Sequence, residues 1–145
     1  VAMLNESIQR ARGQLGPVAA RIADRGTAAA GDIVVTRRND RSLTTDHGEP
    51  VRNRERWTVA AVHDDGALTI SHLRRHGTVT IPAEYVRSHV QLGYAATVHG
   101  HQGDTVDVSL TLVTAATTHR SLYVGATRGR DENRLCVITT ADEDA

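Results

Sequence analysis

No lysine and no phenylalanine occur anywhere in the 145 residues, and all 17 basic groups are arginine. A phosphate loop of the G-x-x-x-x-G-K-[ST] type cannot be built without its lysine, and neither can Schiff-base chemistry or a lysine general base. Any work on a nucleotide therefore needs groups from outside this chain. A single cysteine, Cys136, leaves no disulfide framework, which suits a cytoplasmic protein. No apolar run approaches the roughly 18 residues of a membrane span, and no signal sequence is read, so no membrane partner is expected. Abundant arginine beside alanine and threonine is ordinary coding bias and assigns no role by itself.

A length of 145 residues is one ordinary domain or two small ones, too short for a two-lobed motor. The net charge of zero is unevenly spread: residues 1–91 hold 13 arginines against 10 acids, and residues 92–145 hold 4 against 7. Neither part carries the footprint of a strongly basic nucleic-acid binder, so such contacts must be local or shared. The start at Val1 and the three acids before Ala145 suggest a piece of something longer.

Three patterns follow one another. Val1, Leu4, Ile8, Ala11 and Leu15 recur at helical spacing, with Asn5 as a cap and Gly16-Pro17 as a stop. A short extended piece, Val18 to Ala23, then meets a turn at Asp24, Arg25 and Gly26. Residues 1–30 are thus a helix and short strand, part of a larger lobe or a linker. From Gly31 to Val90 the period is two. Ile33–Val35, Trp57/Val59/Ala61, Leu68/Ile70, Val79/Ile81 and Tyr85/Val86/Val90 predict five short strands, with hairpin signals at Asp64-Asp65-Gly66 and His76-Gly77. That suits a small SH3-like barrel over 31–91, with residues 39–56 as a polar loop. After Gly93 a strand through Val106, Val108, Leu110 and Leu112, a helix capped by Thr117/Thr118 and running through Arg128, and a continuous apolar run from Leu135 to Ile138 predict a parallel strand-helix-strand unit. The last strand reads as buried on both faces. The expected fold class is α/β with an inserted all-β module.

Chemistry concentrates in two stretches. The first runs from Gly93 to Asp107 and sets Thr97, His99 and Gln102 among Gly93, Gly100 and Gly103, so that amides and short side chains can approach a phosphate. The second, Leu122 to Arg130, places Arg128 and Arg130 at a helix end, where an arginine also complements the helix dipole. His99, His101 and His119 could be imagined as zinc ligands, but without a cysteine nearby no metal site is expected. Trp57 alternates with core positions and is expected inside the barrel rather than stacked on a base. Tyr123 is expected to pack in the core. Arg37-Arg38 and Arg74-Arg75 are pairs at strand ends or turns, suited to phosphate contact or to solvation.

The two stretches resemble motifs V and VI of superfamily 1 DNA helicases, in particular the RecD-like branch and the helicase part of conjugative relaxases of the TraI/TrwC type. Tyr94, Ala95, Thr97, His99, Gln102 and Gly103 match the first motif, and Leu122, Tyr123, Val124, Thr127 and Arg128 the second. Gly31, Asp32 and Val34 look like the stretch that opens the SH3-like insertion of these helicases. The resemblance implies a partial second RecA-like (P-loop NTPase) lobe over 92–145 carrying the barrel. It implies Arg128 as the catalytic arginine finger, Gln102, Gly103, Arg128 and Arg130 toward the nucleotide, and Thr97 and His99, joined by Arg37 and Arg38, on single-stranded DNA. ATP and Mg²⁺ would be cofactors of the full-length parent and not of this chain alone. The first RecA-like lobe would be its partner, and the chain alone is expected to be inactive as an ATPase. Three departures stand out. Gly125 replaces an alanine in the second motif, Thr105 an acid after the first, and Asn53-Arg54-Glu55 a turn usually written Asn-Gly-Asp. The competing classes are a non-catalytic nucleic-acid-binding barrel and a protein-interaction module.

Overall fold

The computed structural model describes residues 1–13, 16–101, 103 and 105–139, with His101 described by its backbone alone. The chain forms two compact units, Val1–Ala95 and Ala96–Ala145.

In the first unit, α1 (Ala2–Arg12) ends at Gly13, whose φ of 79° breaks the helix ahead of Gly16-Pro17. Asn5 does not cap it. Asn5 is interior and 5% exposed, while Val1, Met3 and Leu4 stay exposed. The helix is therefore held by a polar residue rather than by its apolar stripe. An antiparallel hairpin of β1 (Ala19–Arg21) and β2 (Thr27–Ala29) follows, turning through the 3-10 segment Ala23–Arg25. Its Ala20, Ile22 and Ala28 enter the same apolar core as the barrel.

The barrel sheet has the order β8-β7-β6-β3-β9, with β3 (Ile33–Thr36), β6 (Arg56–Val62), β7 (Leu68–His72), β8 (Thr78–Ile81) and β9 (Val90–Leu92). Every pairing in it is antiparallel. Alternation places Val34, Trp57, Val59, Leu68, Ile70 and Ile81 inside at 1% exposure or less. The β6–β7 hairpin turns where Asp64-Asp65-Gly66 predicts, with Gly66 at φ 88° and the Asp65 carboxylate accepting from the Ala67 amide at 2.9 Å. Two expectations change. The loop 39–56 contains a second hairpin, β4 (Asp40–Thr44) with β5 (Pro50–Val51), because Val51 and Leu43 reach the core. Tyr85 and Val86 are not strand residues: they lie on α2 (Ala83–His89), started after Pro82, and both are buried in the apolar core.

The second unit is a parallel pair, β10 (Val106–Val113) and β11 (Gly129–Val137), joined by α3 (His119–Ala126). The Thr118 hydroxyl caps α3 by accepting from the Ser121 amide at 3.2 Å. The helix stops short of Arg128, and Gly129 opens β11 rather than merely ending the helix. The last strand is thus longer than the run from Leu135, and it is exposed along its length. Among the described residues β10 alone pairs with it, so Leu135 and Val137 are not covered as a strand buried on both faces would be.

Candidate nucleic-acid interface

At one end of the barrel, β3 runs out into Arg37 and Arg38. The Arg37 amide donates to the His89 carbonyl at 2.8 Å, the Tyr85 hydroxyl donates to the Arg38 carbonyl, and Arg38 Nη1 stands 3.3 Å from His89 Nε2. The strand exit is thereby tied to the end of α2, and both guanidinium-bearing side chains face solvent. Buried Thr36 fixes the neighbouring turn: its hydroxyl donates to the Arg52 carbonyl at 2.6 Å, and its carbonyl accepts from the Arg54 amide at 2.6 Å. Arg52 and Arg54 therefore join Arg37 and Arg38, and Arg87 in the last turn of α2 adds a further cation. Sequence reasoning did not single out these three; the Thr36 clasp, with the Asn53 amide donating to Asn39 Oδ1 at 2.8 Å, brings 52–54 beside 37–39, and Arg87 comes with α2. Hydrogen bonds from the Ser42 hydroxyl and amide hold the Asp40 carboxyl below its ordinary pKa, so a carboxylate persists beside this basic rim. Arg75 differs: its guanidinium lies 3.6 Å from Glu49 and 3.7 Å from Glu55, an ion-pair cluster with Glu55 largely buried. Trp57 is 1% exposed and cannot stack on a base; its indole N–H points to Thr36 Oγ1 at 3.3 Å.

Tyr94 and Ala95 are gripped by α1 and the start of the barrel. Asn5 clasps Ala95 twice, donating to its carbonyl at 3.0 Å and accepting from its amide at 2.6 Å. The Tyr94 hydroxyl donates to Asp32 at 2.5 Å, and the Arg12 guanidinium lies 5.3 Å from the Tyr94 ring centre. Asp32 is 2% exposed and also accepts from Gln9 Nε2 at 2.7 Å and the Ala29 amide at 2.8 Å. Burial first, and the Asp32 carboxylate second, push the Tyr94 phenol above its ordinary pKa.

In the second unit Thr97 precedes the 3-10 turn Val98–His101. Its carbonyl and hydroxyl both accept from the Gly100 amide, at 2.9 and 3.2 Å. His99 on this turn is exposed. Gly103 has φ 94°, with open space where a β-carbon would stand. Gln102 lies outside the described residues. The turn packs beside α3, so Thr97 and His99 are brought near the helix that leads to Arg128.

Arg128 folds back on that helix. Its Nε donates to the Val124 carbonyl at 3.0 Å and its Nη2 stands 3.4 Å from Thr127 Oγ1, which is how a cation complements a helix C-terminus. Arg130 lies where β11 bulges, Arg130 and Asp131 standing opposite the single residue Asp107 between the Val106↔Gly129 and Val108↔Glu132 pairs. Its Nη2 reaches Asp107 at 2.5 Å, and both side chains are exposed. The side chain of Tyr123, expected in the core, is 68% exposed, because α3 turns Gly125 rather than Tyr123 onto the sheet. No helix among the described residues is long and apolar enough to cross a membrane.

A five-stranded antiparallel barrel with a short helix before its last strand is an SH3-like barrel. Residues 20–91 match the family model described as the Rv2311 SH3-like barrel domain. An uncharacterized protein of Mycobacterium tuberculosis, Rv2311, is 33% identical over 97 residues, which cover 65% of this chain and 56% of that protein. Its counterpart in a second strain, MT2373, matches to the same extent. The chain thus spans about half the length of these relatives. Among solved structures, Bacteroides Pif1 bound to single-stranded DNA superposes with a TM-score of 0.57 at 19% identity, covering 78% of this chain and 30% of that one. Unliganded Pif1 from Bacteroides sp gives 0.52 at 17% identity, covering 94% and 39%. The chain therefore shares its fold with about a third of these superfamily 1 helicases.

Proposed function

We propose that the chain is part of an ATP-dependent DNA helicase or translocase, either the helicase region of a conjugative relaxase or a RecD-like motor, working in the cytoplasm. The observation that carries this reading is a parallel strand-helix-strand unit whose helix end bears Arg128 and packs beside the Thr97–His99 turn, in a chain that also carries an SH3-like barrel. In the similar Bacteroides helicase the bound ligand is single-stranded DNA. Here Thr97, His99, Arg37 and Arg38 would meet the phosphodiester backbone, which cationic and hydroxyl groups position without reading bases.

The nucleotide side fits a shared site. Open space at Gly103 leaves room for close backbone approach, and Gln102, Arg128 and Arg130 supply polar and cationic groups, while no lysine is present to build a phosphate loop. A first RecA-like lobe would supply that loop and the acidic Mg²⁺ ligands. ATP with Mg²⁺ would provide the phosphoryl group whose transfer drives movement. Arg128 would have to leave the Val124 carbonyl to stabilise charge on that group, a role worth about 10³–10⁵ in turnover in related arrangements. ATPase activity of the full-length parent tests this: Arg128→Ala should abolish DNA-stimulated turnover, and the 145-residue chain alone should show none. Unchanged turnover in the parent variant would remove the finger role.

A second reading, a non-catalytic nucleic-acid-binding barrel, is favoured by the helix-capping geometry of Arg128 and the Arg130–Asp107 pair. It predicts DNA binding that survives Arg128→Ala in a parent without ATPase activity.

A further inference from the structure

The cleft between α1 and the β1–β2 hairpin is used by none of the roles above. Its volume is about 500 Å³, within the range of small-molecule sites. Gly13, Ala19, Gly26 and Ala29 form much of its wall, so the backbone is approachable. Two arginines line it, Arg10 from α1 and Arg25 from the hairpin tip. Neither side chain has an ion-pair or hydrogen-bond partner among the described residues. Of the two acids at the cleft, Asp32 is already saturated by Gln9, Ala29 and Tyr94. Glu6 stands one turn from Arg10 without pairing to it among the described residues.

The backbone at the tip is informative. Arg25 sits at φ 61°, beside Asp24 at φ 59°, a left-handed conformation uncommon for a residue with a long side chain. The adjacent Gly26, which could adopt it freely, is at φ −77°. Glycine is placed there for room, since a β-carbon would lie 3.2 Å from Ile22 Cγ1. Strain of the kind at Arg25 collects at ligand sites. Arginine carries forked donors of the geometry that matches a phosphate, and two arginines line this one small-walled cleft.

We propose that this cleft binds a phosphate group between Arg10 and Arg25, carried either by a free mononucleotide or by the phosphodiester of a nucleic-acid strand. The site is built on α1 and the hairpin, not on the barrel rim or the motif residues, so it stands apart from the helicase reading.

The test titrates the 145-residue chain carrying Arg37→Ala and Arg38→Ala, which removes the rim, with thymidine monophosphate and separately with a labelled oligothymidylate. Arg10→Gln and Arg25→Gly are then added singly, and melting temperatures are recorded. Binding should weaken at least tenfold in each, while Arg25→Gly melts no lower than its parent because glycine relaxes the turn. Binding of the mononucleotide assigns the site to free nucleotides, and binding of the oligonucleotide alone assigns it to a strand. The proposal is overturned if neither probe binds, if either substitution leaves binding unchanged, or if the Arg25→Gly loss accompanies a drop in melting temperature. Loss of oligonucleotide binding on removing the rim, with mononucleotide binding intact, would bear on the helicase reading alone.

Discussion

A β-carbon placed on Gly125 would stand 2.6 Å from Thr111 Cγ2 and 2.7 Å from its hydroxyl. Thr111 is 6% exposed beneath the helix, and the Ser109 hydroxyl donates to the Gly125 carbonyl at 3.1 Å. Gly125, where the helicase resemblance expects an alanine, is thus the seat of α3 on β10. Gly125→Ala gains up to about 1 kcal/mol of helix propensity but overpacks the contact at about 1–3 kcal/mol. A net loss is expected in urea unfolding, shrinking by at least half in a Thr111→Ala background. Additive effects in that double-mutant cycle would show that the contact does not set the residue.

Asp32 links three segments distant in sequence, Gln9, Ala29 and Tyr94. Hydrogen bonds to a charged group are worth about 1.5–3 kcal/mol each, and they are not additive. Asp32→Ala should therefore cost at least about 3 kcal/mol, and Tyr94→Phe roughly half of that. Unfolding by urea measures both, and a loss below about 1 kcal/mol for Asp32→Ala would contradict the hub.

The same phenol gives an alkaline signature. The folded-state pKa of Tyr94 is raised by burial and Asp32, and that of Tyr85 by burial, which outweighs its hydrogen bond to the Arg38 carbonyl. The folded protein then holds these protons more tightly than the unfolded chain, so their stabilisation is complete below about pH 10 and is lost as pH rises through the folded pKa. Stability should fall above pH 10 more steeply in the parent than in the Tyr85→Phe/Tyr94→Phe double variant.

What could be read in advance, and what could not, follows from how each signal arises. Period-two patterning located β3, β6, β7 and β8 because one face of each strand meets the core. Tyr85 and Val86 misled because adjacent inward residues fit a buried strand as well as a short helix end; Pro82, which starts α2, was the available cue. β4 and β5 were hidden because their tie to the core rests on little more than Val51 and Leu43 inside a charged run. The positions of Arg128 and Arg130 after a helix could be read from the sequence, but their partners Val124, Thr127 and Asp107 could not. The rim cations Arg52 and Arg54 needed the Thr36 clasp, which joins residues far apart in sequence. The tight turn at Asn53-Arg54-Glu55 persists without its usual glycine because Arg54 itself takes φ 69°.

His72 should make the barrel acid-sensitive. Its Nδ1 accepts from the Arg74 and Arg75 amides at 3.1 and 3.0 Å, and its ring meets Trp57 edge-on at 4.7 Å. Burial lowers its pKa from 6.5, with Glu55 opposing. The neutral form is thus favoured in the folded state, so its stabilisation is present above pH 6.5 and is lost as pH falls through the folded value. Proton NMR should give a His72 titration midpoint below 6.5, and a midpoint above 6.5 would mean that Glu55 dominates burial.

Arg54 joins stability to binding. Its left-handed backbone costs an L-residue about 1–2 kcal/mol, offset in part by the greater freedom of glycine in the unfolded chain. Arg54→Gly should therefore raise stability by about 0.5–1 kcal/mol, read from urea unfolding. If the rim of Arg37, Arg38, Arg52, Arg54 and Arg87 follows a single strand, each lost phosphate contact should flatten the dependence of log K on log salt by about 0.7. Arg54→Gly should then lower the slope by about that amount, and Arg37→Ala/Arg38→Ala by about twice as much. A variant that is more stable but has an unaltered salt slope would place Arg54 outside the DNA path while leaving Arg37 and Arg38 to be judged by their own slope.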